Sequence, residues 1–344
     1  MRRLSLSTQT LYAQLLELLT ALDLQRTIGQ AEGTFTSKTI KGSEYYYYQY
    51  SIPGGDKKQV FVGRKNDSLD ELVKNFKNEK NLAKADFQQA EILCTQLRAG
   101  GAMAADAATG RVLKHLADSG LFRQNATLVG THAFNVIGNL LGIQWSTGEI
   151  TEDIDIATQV QIAVPELETD IPETLEKLKM GFLPIPSLNP KHPATSFKVR
   201  GQNLKVDILT PARNRTSSEP IYIKAINAAA QPLQYLDFLL VETRKAAVIS
   251  GAGILVNVPD PARFALHKMI TADERDAVFQ TKVDKDRLQA CQLLDVLMDD
   301  RPGDIRLALE EIKKKNWIRR LKNAAAHLER VDNNIYSRFK NFLS

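Results

Sequence analysis

The sequence predicts an α+β fold with a mixed α/β core, a helical N-terminal region that carries a small β-hairpin element, and an all-helical C-terminal domain. Strand and helix patterns alternate from about residue 126, an antiparallel strand pair follows them, and helical periodicity dominates after Pro259. We therefore expect a helical N-terminal region at 1–120 with the hairpin at about 33–63, a core at 121–258 and a helical domain at 259–344.

The N-terminal region begins with a helical pattern, because leucines recur at helical spacing through residues 7–23. Residues 33–63 are rich in β-branched and aromatic side chains, and Pro53 to Asp56 form a turn signal within them. Alternation places the tyrosines on two faces: Tyr46, Tyr48 and Tyr50 on one, Tyr45 and Tyr47 on the other. Basic residues surround them: Lys38, Lys41, Lys57, Lys58 and Arg64. Such strands either grip nucleic acid by stacking and phosphate contact or pack on a neighbouring helix.

Helices are expected at 67–98 and 105–119. A capping box formed by Ser68 and Glu71 opens the first, and Gly100 closes it. Later in the chain, short strands are expected near 221–224, 237–242, 245–249 and 254–258. The helices of the C-terminal domain are expected near 259–272, 276–299, 302–315 and 317–342.

The core opens with LVGTHAF, in which an apolar strand turns into a helix at Gly130 and Thr131. Backbone N–H groups and the positive end of the helix dipole at such a junction suit phosphate oxygens. Thr131 adds a hydroxyl donor. The turn alone is weak evidence, since many strand-to-helix turns need glycine for geometry.

Three aspartates in strand patterns carry the chemistry. Asp153 and Asp155 share one face of TEDIDIA, and Asp207 lies within the apolar strand LKVDIL. Like charges this close need either open water or a cation between them. If the strands are neighbours, the three carboxylates converge beside the phosphate-binding turn at Gly130 and Thr131, where they can hold two Mg²⁺ ions.

These residues bring the chain close to a known family. The glycine with a hydroxyl residue, the acid-apolar-acid pair and the later single acid resemble the signature of the polymerase-beta-like nucleotidyltransferase superfamily. The stretch from LVGTHAF through TEDIDIA, together with GTFTSKTIKGSEYYYYQYS, resembles a little-characterised bacterial branch. Thr131 departs from the commoner serine but keeps the hydroxyl.

The resemblance implies a magnesium-dependent nucleotidyltransferase that moves a nucleoside monophosphate from a nucleoside triphosphate such as ATP to an acceptor hydroxyl. Gly130 and Thr131 would hold the β and γ phosphates. Asp153, Asp155 and Asp207 would be catalytic and would bind two metal ions, and Asp207 would also help to deprotonate the acceptor.

Two further cations are candidate nucleotide ligands. Lys268 follows His267 in a helix that opens behind Pro259 and Pro261, and Arg200 flanks the Asp207 hairpin. Each could instead be an ordinary solvated side chain. No cluster of Cys or His predicts zinc.

The partner is less defined. The basic, aromatic hairpin and a run of cations from Lys313 to Lys322 favour RNA or tRNA as the acceptor, as in a toxin-like or defence-like enzyme. A protein or small-molecule acceptor is the alternative, and a third reading is a non-catalytic nucleic-acid-binding or regulatory protein with a degenerate core. The intact acid trio argues against the third reading.

The composition predicts a cytoplasmic globular protein. No apolar run is long enough to cross a bilayer, and the first helical pattern lacks a small-residue cleavage site. Cys94 and Cys291 lie far apart in helical patterns and are expected to be reduced core thiols.

Overall fold

The computed structural model describes residues 1–24, 33–51, 57–146, 153–158, 170–186, 193–214, 219–275 and 277–343. Helix accounts for 55% and strand for 24%, in agreement with the α+β prediction. The helices are α1 (Leu6–Leu24), α2 (Asp67–Ala99), α3 (Ala107–Asp118), α4 (Gly130–Leu140), α5 (Ile171–Lys177), α6 (Leu236–Leu240), α7 (Pro261–Asp273), α8 (Gln280–Asp300), α9 (Pro302–Lys314), α10 (Ile318–Ala326) and α11 (Asn333–Lys340). The strands are β1 (Arg2–Arg3), β2 (Thr34–Ile40), β3 (Ser43–Ser51), β4 (Lys57–Arg64), β5 (Thr127–Val129), β6 (Ile143–Gln144), β7 (Asp153–Ala157), β8 (Phe182–Pro184), β9 (Ser196–Val199), β10 (Lys205–Pro211), β11 (Ile221–Ile223), β12 (Ala228–Leu233), β13 (Thr243–Val248) and β14 (Ile254–Pro259).

The central sheet is mixed and has the order β11-β12-β10-β7-β5. Strand β10 is parallel to both β7 and β12, whereas β5 runs antiparallel to β7. Two strands share one edge of β10: β9 pairs with its first half and β12 with its second half. Strand β8 pairs with β9. Strand β10 is therefore central and presents one alternating face to the core, where Val206 and Ile208 are fully buried.

The long helix α2 links the N-terminal sheet to the rest of the protein. Asn66 caps its start by accepting a hydrogen bond from the Leu69 amide at 2.9 Å, so the predicted capping box at Ser68 is wrong. The far end of α2 packs in a buried cluster with α1 and β13, which includes Tyr12, Leu15, Leu93, Cys94, Ala247 and Ile249. Near its start, α2 instead carries the antiparallel sheet β2-β3-β4, because Phe76 packs against Phe35 at 5.0 Å between ring centroids.

A second buried cluster joins the central sheet to the C-terminal helices. It extends from α3 through β10 to α11 and includes Leu113, Phe134, Ile156, Ile208, Phe264, Leu294 and Phe339. Both cysteines are buried and free, as expected from their positions. The division of the chain near residues 120 and 258 stays a prediction. None of the described helices combines the length and apolar character needed to span a lipid bilayer.

Two predicted elements are wrong. The expected strand at 237–242 is mostly the short helix α6, whose Phe238 and Leu239 are buried. A short apolar run has no periodicity that separates a buried helix from a buried strand. The single helix expected at 317–342 is interrupted after α10 by a 3₁₀ turn, and Asp332 then caps α11 by accepting from the Ile335 amide at 3.0 Å.

Tyr12→Phe tests the attachment of α1 to β13. The buried Tyr12 hydroxyl donates to the Ala247 carbonyl at 3.1 Å and accepts from the Ala247 amide at 3.0 Å. Without the hydroxyl, both backbone groups lose a partner, so we expect the free energy of unfolding to fall by about 1–3 kcal/mol. Urea denaturation measures this change; Tyr222→Phe, on an exposed ring, is the control. Equal stability of the two variants would contradict the attachment.

Candidate active site

The junction between β5 and α4 is shaped by Gly130. This residue has a φ of +67°, and a Cβ placed there would overlap the Oδ2 atom of Asp155. Both the backbone conformation and the available space therefore require glycine. Thr131, the next residue, is buried at the start of α4.

Strand register brings the acidic residues together. Val129, the last residue of β5, lies opposite Asp155, and Asp155 lies opposite Asp207 on the parallel strand β10. Neighbouring strands are about 4.8 Å apart, so these two carboxyl groups stand side by side. Asp153 is two residues earlier on the same face of β7 and is exposed. The structure thus places all three predicted aspartates on one face, next to Gly130.

Asp207 is held by two neighbours. The Nζ atom of Lys205 forms an ion pair with Asp207 Oδ2 at 2.7 Å, and the Ser196 hydroxyl donates to Oδ1. Both contacts follow from register, because Lys205 is two residues before Asp207 and Ser196 is opposite it on β9. A cation that binds Asp207 has to share this carboxylate with Lys205.

Asp155 is a carboxyl group in an environment that disfavours its charge. Removal from solvent raises its pKa to about 6, and repulsion from Asp207 and Asp153 adds to the rise. The positive charges of Lys268 and Lys205 act in the opposite direction. Burial beside two other carboxyl groups therefore disfavours the ionised form of Asp155, and the nearby cations offset this only in part.

Lys268 belongs to this electrostatic environment. It is buried in α7, forms an ion pair with Asp286 of α8, and lies over the ring of Phe264 at 5.2 Å. Arg275 also pairs with Asp286. The sequence predicted Lys268 near the nucleotide, and its effect on the pKa of Asp155 places its charge within electrostatic reach of the aspartates.

Arg200 lies elsewhere on the same hairpin. It is exposed at the turn between β9 and β10, four residues beyond Ser196, which corresponds to about 13 Å of extended strand. There it lines an open cavity of about 470 Å³ with Pro184, Gly201 and Asn203. The structure therefore does not bring Arg200 against the aspartates.

No group of three or more His, Cys, Asp or Glu side chains is arranged as a metal site in the described ranges. The three aspartates share a face, but Asp207 is turned toward Lys205 and Ser196. Hard oxygen donors for a divalent cation are present at Asp153, Asp155 and Asp207.

Comparisons with known proteins decide the family. A family model described as nucleotidyltransferase matches residues 107–314, which is more than half of the chain and includes the whole aspartate face. The chain belongs to this nucleotidyltransferase family. It is accordingly a transferase, and its general reaction is nucleotidyl transfer.

Other comparisons add little. The chain is similar to a solved antigenic nucleotidyltransferase-like protein from Paracoccidioides brasiliensis, with 13% identity over 69% of this chain and 95% of that one. The TM-score is 0.37, and this likeness is too weak to carry any inference. No curated protein matches the chain.

The sequence analysis missed two neighbours of the nucleotidyltransferase aspartates. Lys205 shares a strand face with Asp207, and the period of two in LKVDIL was sufficient to predict their proximity. Ser196 is different, because its contact depends on the register of the β9-β10 hairpin. The sequence predicts the hairpin around residues 201–203, but residue types alone do not determine which residues of its two strands lie opposite each other.

Gly130→Ala tests the close approach to Asp155. The new methyl group would both strain the backbone and displace the carboxylate. Gly251→Ala is the matched control, because Gly251 has a φ of +54° and open space around its Cα. We expect Gly130→Ala to lower the free energy of unfolding by about 1–3 kcal/mol more than the control does, measured by urea denaturation. Equal losses would show that Asp155 is not in contact with residue 130.

His267 predicts a pH dependence of stability. The pKa of this imidazole is lowered to about 4, chiefly by burial and next by the charge of Lys268; Arg275 adds to the effect, and Asp286 and Asp237 oppose it. The unfolded chain, with a histidine pKa near 6.5, binds more protons between these values, so the free energy of unfolding falls as pH drops.

His267→Gln should remove that dependence. Between pH 7 and pH 4.5, we expect the wild type to lose about 2–3 kcal/mol more stability than His267→Gln. Denaturant unfolding of both proteins at both pH values measures the difference. A parallel loss in wild type and His267→Gln would mean that His267 does not carry the effect.

Proposed function

We propose that this protein transfers a nucleoside monophosphate from a nucleoside triphosphate to a hydroxyl group of RNA, in a magnesium-dependent reaction. The observation that carries the proposal is the register of Asp155 opposite Asp207 beside the glycine junction at Gly130. This arrangement lies inside the family-matched segment.

The donor atoms fit magnesium. Asp153, Asp155 and Asp207 offer only carboxylate oxygens, which Mg²⁺ prefers, and they share one strand face. The pKa of Asp155 is raised first by removal from solvent and then by repulsion from Asp207 and Asp153, and a bound divalent cation would favour the ionised carboxylate. When bound, the metal supplies charge stabilisation for the phosphates and lowers the pKa of a coordinated hydroxyl.

The nucleotide would lie across the β5-α4 junction. The amide groups at the start of α4 and the Thr131 hydroxyl would donate to the β and γ phosphates. Lys268 would contribute positive charge from α7. Its partner Asp286 also pairs with Arg275, so Lys268 can turn toward a phosphate without leaving Asp286 unpaired.

The acceptor hydroxyl would approach Asp207. Its oxygen attacks the α phosphorus, the bond from that phosphorus to the pyrophosphate oxygen breaks, and the hydroxyl proton passes to the Asp207 carboxylate. The ion pair with Lys205 and the hydrogen bond from Ser196 hold this carboxylate in a fixed orientation. Positioning of this kind supplies much of the acceleration in phosphoryl transfer.

The choice of RNA depends on basic surface. In the Lys313 to Lys322 segment, several cations are already paired, because Lys314 contacts Glu311, Lys315 contacts Asp237, and Arg320 contacts Glu274. That segment therefore offers less positive charge than its sequence suggests. Support for RNA comes mainly from the N-terminal sheet, where Lys38, Lys57 and Arg64 are exposed.

Asp207→Asn should abolish transfer while the fold is retained. The amide cannot accept the proton and binds a divalent cation poorly, so we expect a loss of at least about 100-fold in rate. The purified protein is incubated with each α-labelled nucleoside triphosphate, Mg²⁺ and total RNA, and label in RNA is counted. Asp118→Asn, a change on α3, is the matched control and should retain transfer.

The same assay separates the acceptor classes. Label in RNA with the wild type, and none with Asp207→Asn, supports the proposal. Label in protein or in a small-molecule fraction would show that the acceptor is not RNA. Full activity of Asp207→Asn, with unfolding midpoints equal to those of the wild type, would remove Asp207 from the catalytic set.

A further inference from the structure

Among the residues that the structure describes, the N-terminal sheet packs on α2 through one of its two faces. On the inner face, Phe35 and Tyr48 pack edge-on against Phe76 of α2, with ring centroids 5.0 and 6.0 Å from it. The Tyr46 hydroxyl on this face donates to Asp70 of α2 at 2.6 Å. Packing on a helix thus accounts for these tyrosines.

The outer sheet face, which we define by Lys38, Tyr45, Tyr47 and Phe61, also carries aromatic rings. Phe61 lies 5.6 Å from Tyr47 and 6.0 Å from Tyr45 between ring centroids. Its ring is in solvent, since Phe61 is 58% exposed. The Nζ atom of Lys38 lies 4.9 Å above the ring of Tyr47.

A β-bulge creates this arrangement. Tyr46 pairs with Gly63, but Tyr47 pairs with Phe61, so Val62 is the extra residue in β4. The bulge lets Gly63 face α2, where a Cβ would meet Leu69, while Phe61 faces outward beside Tyr47. Regular pairing would have put Phe61 and Gly63 on the same face.

The surroundings of the outer sheet face are basic. Between residues 33 and 65 the chain has six basic residues and two acidic ones. Lys38, Lys41, Lys57, Lys58 and Arg64 are all exposed. Lys65 forms an ion pair with Glu44, the acidic residue of this sheet that the structure describes. A polyanion therefore complements this surface.

We propose that the outer sheet face binds an unpaired segment of the RNA acceptor. Tyr45, Tyr47 and Phe61 would stack on bases, and Lys38 and the neighbouring cations would contact phosphates. Rings on an open sheet reach base faces only where the bases are not stacked in a duplex, which selects single strands. This inference rests on the proposed function only in calling the RNA an acceptor.

The location of the sheet gives the binding a geometric role. Helix α2 joins its buried cluster with α1 and β13 at Ala90. Phe76, which packs on the sheet, lies 14 residues before Ala90. The rise of a helix converts this separation to about 21 Å along α2. The outer sheet face would thus hold RNA at the end of α2 that lies outside this buried cluster.

Binding is tested without nucleotide or metal, by fluorescence anisotropy with a labelled single-stranded RNA of about 12 nucleotides, within the range of known site sizes. The double variant Tyr47→Leu/Phe61→Leu keeps apolar bulk but removes two stacking surfaces, and we expect binding to weaken about tenfold or more. The matched double variant Tyr47→Phe/Phe61→Tyr keeps both rings and should bind as the wild type does. Lys38→Gln should reduce the slope of log affinity against log salt by about 1.

Wild-type affinity in the leucine variant would overturn the proposal, as would equal affinity for a duplex of the same sequence. Preference for vesicles containing anionic lipid over RNA would assign the face to membranes instead. Asp118→Asn, the control on α3, should bind RNA as the wild type does. If the wild type binds RNA through these rings but transfers no label to it, the RNA-binding surface is supported and the proposed reaction is wrong. If the leucine variant binds RNA and transfers label as the wild type does, the reaction is supported and the RNA-binding surface is wrong.

Discussion

The register between β7 and β10 places two carboxylates opposite each other. Neighbouring cations and a hydroxyl group offset the repulsion between them. Asp155 and Asp207 are paired on adjacent parallel strands, a position in which like charges are unfavourable. Lys205 and Ser196 engage Asp207, while Lys268 acts on Asp155 from another helix. Gly130 leaves room for the Asp155 carboxylate. In the proposed reaction, these carboxylates would bind metal ions. The positive charges of Lys205 and Lys268 offset part of their repulsion.

Much of this arrangement follows from the sequence. The α+β class is confirmed, and the alternation of side chains was enough to place Asp153 and Asp155 on one face. The isolated acid in LKVDIL marked Asp207, because an apolar strand rarely contains an acid without a reason. The function of these residues stays a prediction, while membership of the nucleotidyltransferase family is established by the matched segment.

What could not be predicted depends on contacts distant in sequence. Lys268 is 113 residues from Asp155 by number, and its charge influences the pKa of Asp155 because α7 packs against the core. Neither the pairing of Lys268 with Asp286 nor that of Lys315 with Asp237 has a local signal. The helix α6 was misassigned because five apolar-rich residues are too few to show a period. The two faces of the N-terminal sheet were anticipated, but only the bulge at Val62 determines that Phe61 joins Tyr47.

The attachment of α1 to β13 joins residues before the family-matched segment to residues within it. The family-matched segment starts at residue 107, yet Ala247 and Ile249 within it are covered by Tyr12, Leu15 and Leu93. Removal of the residues before 107 would expose that apolar surface and leave the Ala247 backbone groups without their tyrosine partner. The segment that matches the family model is therefore smaller than the unit that packs together, because helices before residue 107 cover part of its apolar surface.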